Sequence, residues 1–242
     1  MSKRNTSIIA ATAFPEKSLI ISAGEKAHWK MAFGSGEMRM LRLAHHRGNG
    51  INAMSATRTL SRENFLTMGH TYTWAMTYLG VAQWDCNANQ IGIAFADSIE
   101  GPWVKFSQNP IITAPNTTSW GVGQDSMISL DQSGRIQIIY RYSDGTDDYC
   151  RYQDFDFSNV NSYAASLSKS VTRQGLTDGI SHTCSSHVIY DSARETYFMA
   201  AEHIWDEQKR SCRETMIVAL PKADFEAGTG WWEVLYRYNQ SN

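Results

Sequence analysis

The sequence predicts an all-β chain, a β-propeller of four-stranded antiparallel blades, and three observations carry that reading. Short runs rich in β-branched and aromatic residues recur along the chain, separated by clusters of Gly, Pro, Asn and Asp. The runs group in fours with a repeat of roughly 45–60 residues, which is the spacing of propeller blades. Helical periodicity is sustained nowhere except briefly near Lys222–Phe225.

Taken in order, the first unit is predicted over Ser18–Ala23, Ala27–Phe33, Met38–His45 and Ile51–Arg58. The second runs Phe65–Met68, Tyr72–Leu79, Gln90–Ala96 and Trp103–Phe106, with turn-forming residues at 97–102 and a break at Asn109-Pro110. The third is Asp125–Leu130, Arg135–Ser143, Tyr149–Phe155 and a weaker Tyr163–Thr172. The fourth is Ser185–Tyr190, Thr196–His203, Thr215–Leu220 and Trp231–Tyr238. Ser7–Ala13 reads as a further strand that completes the last blade and closes the ring; alternatively, the first unit holds two abbreviated blades.

The third unit is the most explicit. Asp131-Gln132-Ser133-Gly134 joins two strands as a four-residue connection with Gly last, which a hairpin built on a type I turn prefers. In Arg135–Ser143, Ile136, Ile138, Tyr140 and Tyr142 share one face, while Ile139 puts an apolar residue on the other. A strand of this kind is packed on both sides, as in stacked sheets.

Composition narrows the function. The chain is 42% hydrophobic and 19% charged, with eight Trp and eleven Tyr, and suits a single β-propeller domain over residues 1–242. A net charge of −2 argues against nucleic acid or an anionic membrane as partner, and no apolar run approaches membrane-spanning length. The apolar stretch near the N-terminus is short and interrupted, so no secretion signal is expected; the expected location is cytoplasmic, or within a virion or other large assembly. Cys86, Cys150, Cys184 and Cys212 are widely separated and form no paired motif, as reduced structural thiols do.

The order IGIAFADSIEGPWVKFSQNPII, a loop, then GQDSMISLDQSGRIQIIYRYS resembles the five-bladed β-propeller glycosidases of the arabinanase and xylosidase group, glycoside hydrolase family 43 and its relatives. There an S-x-x-GPW segment ends one blade and an Asp opens the innermost strand of the next, with a second Asp six residues on and a turn Gly nine residues on. Asp125, Asp131 and Gly134 keep that spacing. The resemblance favours five blades, with four as the alternative.

It also implies three acids: a base, a helper Asp and a Glu proton donor. Hydrolysis of a glycosidic bond needs two carboxyl groups flanking it. Asp125 matches the helper position, although the same Asp could instead cap a turn or bind loop amides. For the base, the family's Arg-Asp-Pro is replaced by Arg62-Glu63-Asn64, so Glu63 is either a longer carboxylate in that role or an exposed loop residue. The register of the acid falls on Ser186-His187, with no carboxylate; His187 could donate a proton because imidazole titrates near neutrality. Trp120, in a Gly-rich loop, is the tryptophan best placed to stack on a sugar, and Trp120, Gln124, Asp125 and His187 form the expected ligand-binding set.

His182, Cys184 and His187 contain metal-capable ligands, but strand geometry puts His187 on the opposite face, so no metal is expected. No nucleophile elbow, phosphate loop or dinucleotide fingerprint appears, and no cofactor is expected. The expectation is a glycosidase-like propeller that is catalytically silent and binds a glycan or a protein partner in an assembly such as a virion tail. An active glycoside hydrolase with a rearranged acid pair is the alternative.

Overall fold

The structure is a computed structural model and describes residues 30–33, 36–39, 58–67, 69–81, 87–159, 163–176, 186–206 and 211–239. The chain divides into two compact units, Met1–Arg47 and Gly48–Asn242. In the first, β1 (Lys30–Phe33) and β2 (Gly36–Arg39) pair as an antiparallel hairpin. Most of the predicted first blade lies outside the described residues, as does Ser7–Ala13.

The second unit holds three antiparallel sheets, each built of strands adjacent in sequence. The first comprises β3 (Arg58–Thr67), β4 (His70–Gly80), β5 (Gln90–Ala96) and β6 (Val104–Lys105). The second comprises β7 (Gly121–Ser129), β8 (Arg135–Ser143) and β9 (Asp148–Asp156). Its far edge is split into β10 (Ala164–Ala165) and β11 (Lys169–Ser170), both paired with β9. The third comprises β12 (His187–Asp191), β13 (Thr196–Asp206), β14 (Ser211–Pro221) and β15 (Glu233–Asn239). A single helix among the described residues, α1 (Lys222–Ala227), connects β14 to β15 and ends on Gly228, whose φ of 68° is left-handed. The protein is therefore all-β with antiparallel sheets.

The first strands of the three sheets lie together, with β7 packed against both β3 and β12. The middle sheet is covered on both faces. On one side Ile136, Ile138, Tyr140, Val122 and Met127 meet Phe65, Ile91, Ile93 and Phe95 of the first sheet. On the other, Ile128, Ile139, Cys150 and Tyr152 meet Val188, Tyr197, Met199, Met216 and Val218 of the third. Alternation along β8 thus feeds two cores, as its residue pattern predicts. Each fully buried Ile or Phe contributes about 1.5–3 kcal/mol.

Polar groups inside these layers are tied across them. The Tyr197 hydroxyl donates to Gln137 Oε1 at 2.9 Å, and Gln137 Nε2 donates to Asp154 Oδ1 at 2.9 Å. The predicted break at Asn109-Pro110 has a structural use: the Asn109 side chain accepts from Ile93 N–H and donates to the Ile93 carbonyl, both at 2.8 Å.

Several boundaries differ from the sequence reading. β7 begins at Gly121, not Asp125, because Gly121 and Gly123 carry no side chains to reveal the alternation. A Cβ at Gly121 would lie 2.5 Å from the Asn89 carbonyl oxygen, so backbone approaches backbone there. Tyr163–Thr172 splits in two, and Trp103–Phe106 shortens to two residues. The β7–β8 connection has its glycine in the left-handed region as expected (Gly134, φ 93°), but Gln132 is left-handed as well (φ 58°). Asp131 holds this turn, accepting from Ser133 N–H at 3.0 Å and from Arg135 at 3.2 Å.

Candidate functional site

The two carboxylate candidates sit at corresponding irregularities. In β3 the register with β4 slips between Arg62 and Phe65, which places Glu63 and Asn64 in a bulge. In β7 the register with β8 slips between Gly123 and Ser126, which places Gln124 and Asp125 in a bulge. Bulges re-aim side chains and are common beside functional sites. The side chain of Glu63 lies outside the described residues, so only its register position is fixed.

Asp125 is 1% exposed. Burial pushes its carboxyl up to about 6, offset in part by the neighbouring Thr77 hydroxyl and by its own backbone. Such a group titrates close to neutrality and, when protonated, can donate a hydrogen bond. Thr77 comes from β4 and is itself fully buried, so the carboxyl is presented to the first sheet.

Gln124 occupies the left-handed region (φ 50°), which turns its side chain out of the strand's regular alternation. Its Oε1 accepts from Arg141 Nη1 at 3.5 Å. Arg141 also donates from Nε to Asp148 Oδ1 at 2.8 Å and from Nη2 to Asp148 Oδ2, a two-pronged ion pair whose side chains are 17% and 13% exposed. The guanidinium lies 4.5 Å from the ring centre of Trp120. One face of Trp120 is therefore occupied, and this half-buried indole is held in place by Arg141.

His187 opens β12. Its Nδ1 is buried and has no hydrogen-bond partner among the described residues, and burial holds its pKa below the usual imidazole range. The adjacent Val188 N–H donates to the Ser126 hydroxyl, next to Asp125, at 2.9 Å. Asp125 and His187 thus each neighbour one end of a direct link between β7 and β12. The structure joins Trp120 to Gln124 through Arg141, and joins the strands of Asp125 and His187 through Ser126.

Sequence reasoning did not single out Arg141, Asp148 or Thr77. The signal for Arg141 was present: a cation two residues after Ile139, on the same face of a strand that buries Gln137 and Ile139, needs a partner. His182 and Cys184 lie outside the described residues. Among the described residues no group of three or more His, Cys, Asp or Glu side chains could hold a metal, and no helix is long and apolar enough to cross a membrane.

No protein-family profile, curated protein or solved structure matches this chain.

Proposed function

We propose that this chain is a glycosidase-like β-propeller without hydrolytic activity, acting as a glycan- or protein-binding module of a larger assembly such as a virion tail. In this reading the three sheets are successive blades, and β3, β7 and β12 are their innermost strands. The observation that supports silence is the state of Asp125. The carboxyl at the helper position is buried against Thr77, and His187 stands where the resemblance requires the acid. A proton donor missing from such a site typically costs 10²–10⁴-fold in rate. Binding has no such requirement, since stacking on Trp120 and hydrogen bonding through Gln124 need no acid.

An active hydrolase is the second reading, favoured by the matching bulges that carry Glu63 and Asp125 on neighbouring first strands. Purified protein assayed against arabinan, xylan and aryl furanosides, beside an Asp125→Asn control, separates the two. The expected result is no turnover above background. Turnover abolished by the substitution would make this an enzyme. Oligosaccharide titrations followed by tryptophan fluorescence, with Trp120→Ala as control, test the binding reading directly.

A further inference from the structure

Among the described residues, Arg135, Arg141, Arg173, Arg194 and Arg237 each reach a carboxylate within 4.0 Å. Arg151 reaches none, and its polar contacts are all with neutral groups. Half-buried in β9, it donates from Nε to the Ser168 hydroxyl at 2.7 Å and from Nη2 to the Ser168 carbonyl at 3.0 Å. Its Nη1 donates to the Tyr149 hydroxyl at 3.0 Å. The guanidinium also lies 5.1 Å from the ring centre of Tyr142 and 5.7 Å from that of Tyr149. A guanidinium carries five N–H donors, so one on Nη1 and one on Nη2 remain uncommitted.

Strand register builds this cluster. Tyr142 pairs with Tyr149 and Tyr140 with Arg151 across β8 and β9, and Ser170 of β11 pairs with Arg151 from the other side. Partners across an antiparallel ladder share a face, as do residues two apart, so Tyr140, Tyr142, Tyr149 and Arg151 face one way. The Tyr140 hydroxyl meets the Ser168 hydroxyl at 2.7 Å, which fixes the group that anchors the guanidinium.

Tyr149 accepts from Arg151, so its own O–H is left to donate, and among the described residues no acceptor takes it. Arg151 Nη1 and the Tyr149 oxygen, 3.0 Å apart, therefore offer two hydrogens side by side. Arg173, 45% exposed, sets a second guanidinium 4.6 Å from the centre of the same ring and meets Asp147 at 3.8 Å. The carboxylate of Asp144, beside Tyr142, is taken up by the N–H groups of Thr146 and Asp147, both at 2.9 Å. The chain thus holds the Arg151 cation in place without neutralising it, which is the arrangement that suits a guanidinium to an oxyanion.

We propose that Arg151 and Tyr149 form a binding site for an oxyanion, the carboxylate, sulfate or phosphate group of a ligand, with the Arg151 N–H groups and the Tyr149 hydroxyl as donors and Arg173 adding charge beside them. Where that ligand is a glycan, the unit bound here is an acidic sugar; the anion site itself does not rest on the glycan reading.

Equilibrium dialysis of the full chain against radiolabelled sulfate, with ionic strength held constant by chloride, tests this. Saturable binding is expected. Tyr149→Phe keeps the ring and removes only the hydroxyl; it should weaken binding by about tenfold, the loss of one charge-assisted hydrogen bond. Arg151→Gln should abolish binding. Far-UV circular dichroism accompanies each variant, and Tyr149→Phe keeps the test decisive if Arg151→Gln disturbs the fold beside Ser168. Displacement of sulfate by an oligogalacturonate, but not by a neutral xylo-oligosaccharide, would support the site and put its oxyanion on a sugar. Displacement by neither would support a site for the free oxyanion and count against the glycan reading alone. No saturable sulfate binding, or binding indifferent to Tyr149→Phe, would overturn the proposal.

Discussion

The Ser126 hydroxyl accepts a hydrogen bond from the backbone N–H of Val188 at 2.9 Å, in a buried position between the first strands of two sheets. Among the described residues no strand ladder serves this N–H from that side, so the side chain of one sheet completes the backbone of another. Ser126→Ala would strand a buried donor, and a loss of about 1–3 kcal/mol is expected in urea denaturation. A midpoint equal to the wild type would mean that water replaces the hydroxyl without cost.

Ile138 is fully buried in the core between the first and second sheets. Ile138→Ala should cost about 2–5 kcal/mol, the range for removing a buried aliphatic side chain where the surroundings relax incompletely. Ile139 faces the opposite core, so Ile139→Ala should cost a similar amount. Comparable losses in thermal or chemical melts would verify that β8 is buried on both faces; a harmless Ile139→Ala would show that only one is.

Gly134 closes the β7–β8 turn at φ 93°. A β-branched residue meets steric conflict there, and Gly134→Val should destabilise by at least about 1–2 kcal/mol. Gly134→Asn should be milder, since Asn tolerates the left-handed region better. Equal melting temperatures for the two variants would contradict a backbone origin.

Asp125 gives the protein a specific pH dependence. Its carboxyl titrates near 3.8 without the fold's perturbation and at about 6 in the folded state. Between those values the folded state holds a proton that the unfolded chain has released. The group's contribution is therefore favourable at low pH, declines as pH rises, and is fully adverse above about pH 6. Two pH units correspond to about 3 kcal/mol. His187 acts with the opposite sign: its lowered pKa means that its contribution is lost as pH falls below the usual imidazole range. The difference between wild type and Asp125→Asn isolates the carboxyl. The variant should be the more stable at pH 7, by up to about 3 kcal/mol, and the gain should vanish near pH 4. A gain that stays constant across that range would assign it to something other than this ionisation.

Arg141 joins Trp120, Gln124 and Asp148. Arg141→Met keeps much of the aliphatic stem but leaves Asp148 without its two-pronged partner, and should cost about 1–3 kcal/mol. Arg141→Lys should recover little, since an ammonium cannot match the fork or lie flat on the indole. Denaturation curves in which Lys performs as well as Arg would reduce the interaction to simple charge.

The extent of what the sequence discloses varies with the kind of interaction. Alternation in Arg135–Ser143 marks a strand buried on both sides because side chains two apart share a face, and the structure places Ile138 and Ile139 in different cores. Gly134 was legible because few other residues tolerate its backbone. The start of β7 was not, because two glycines carry no pattern, and the bulge at Gln124 and Asp125 shifts every side chain that follows. Trp120 and Asp125 drew notice as residue types suited to a sugar site, yet their partners were invisible. Arg141 lies 21 positions beyond Trp120, and Thr77 belongs to another sheet.

What the sequence by itself determined is local: strands, turns, the two faces of β8, and the absence of sustained helix, all set by periodicity and by the backbone limits of single residues. Tertiary structure alone decided that Asp125 is buried and raised, that one face of Trp120 is covered by a guanidinium, and that Ser126 serves Val188 across a sheet boundary. Burial and pairing depend on which strands become neighbours. That choice minimises the free energy of the packed layers together, and no short window of sequence contains it.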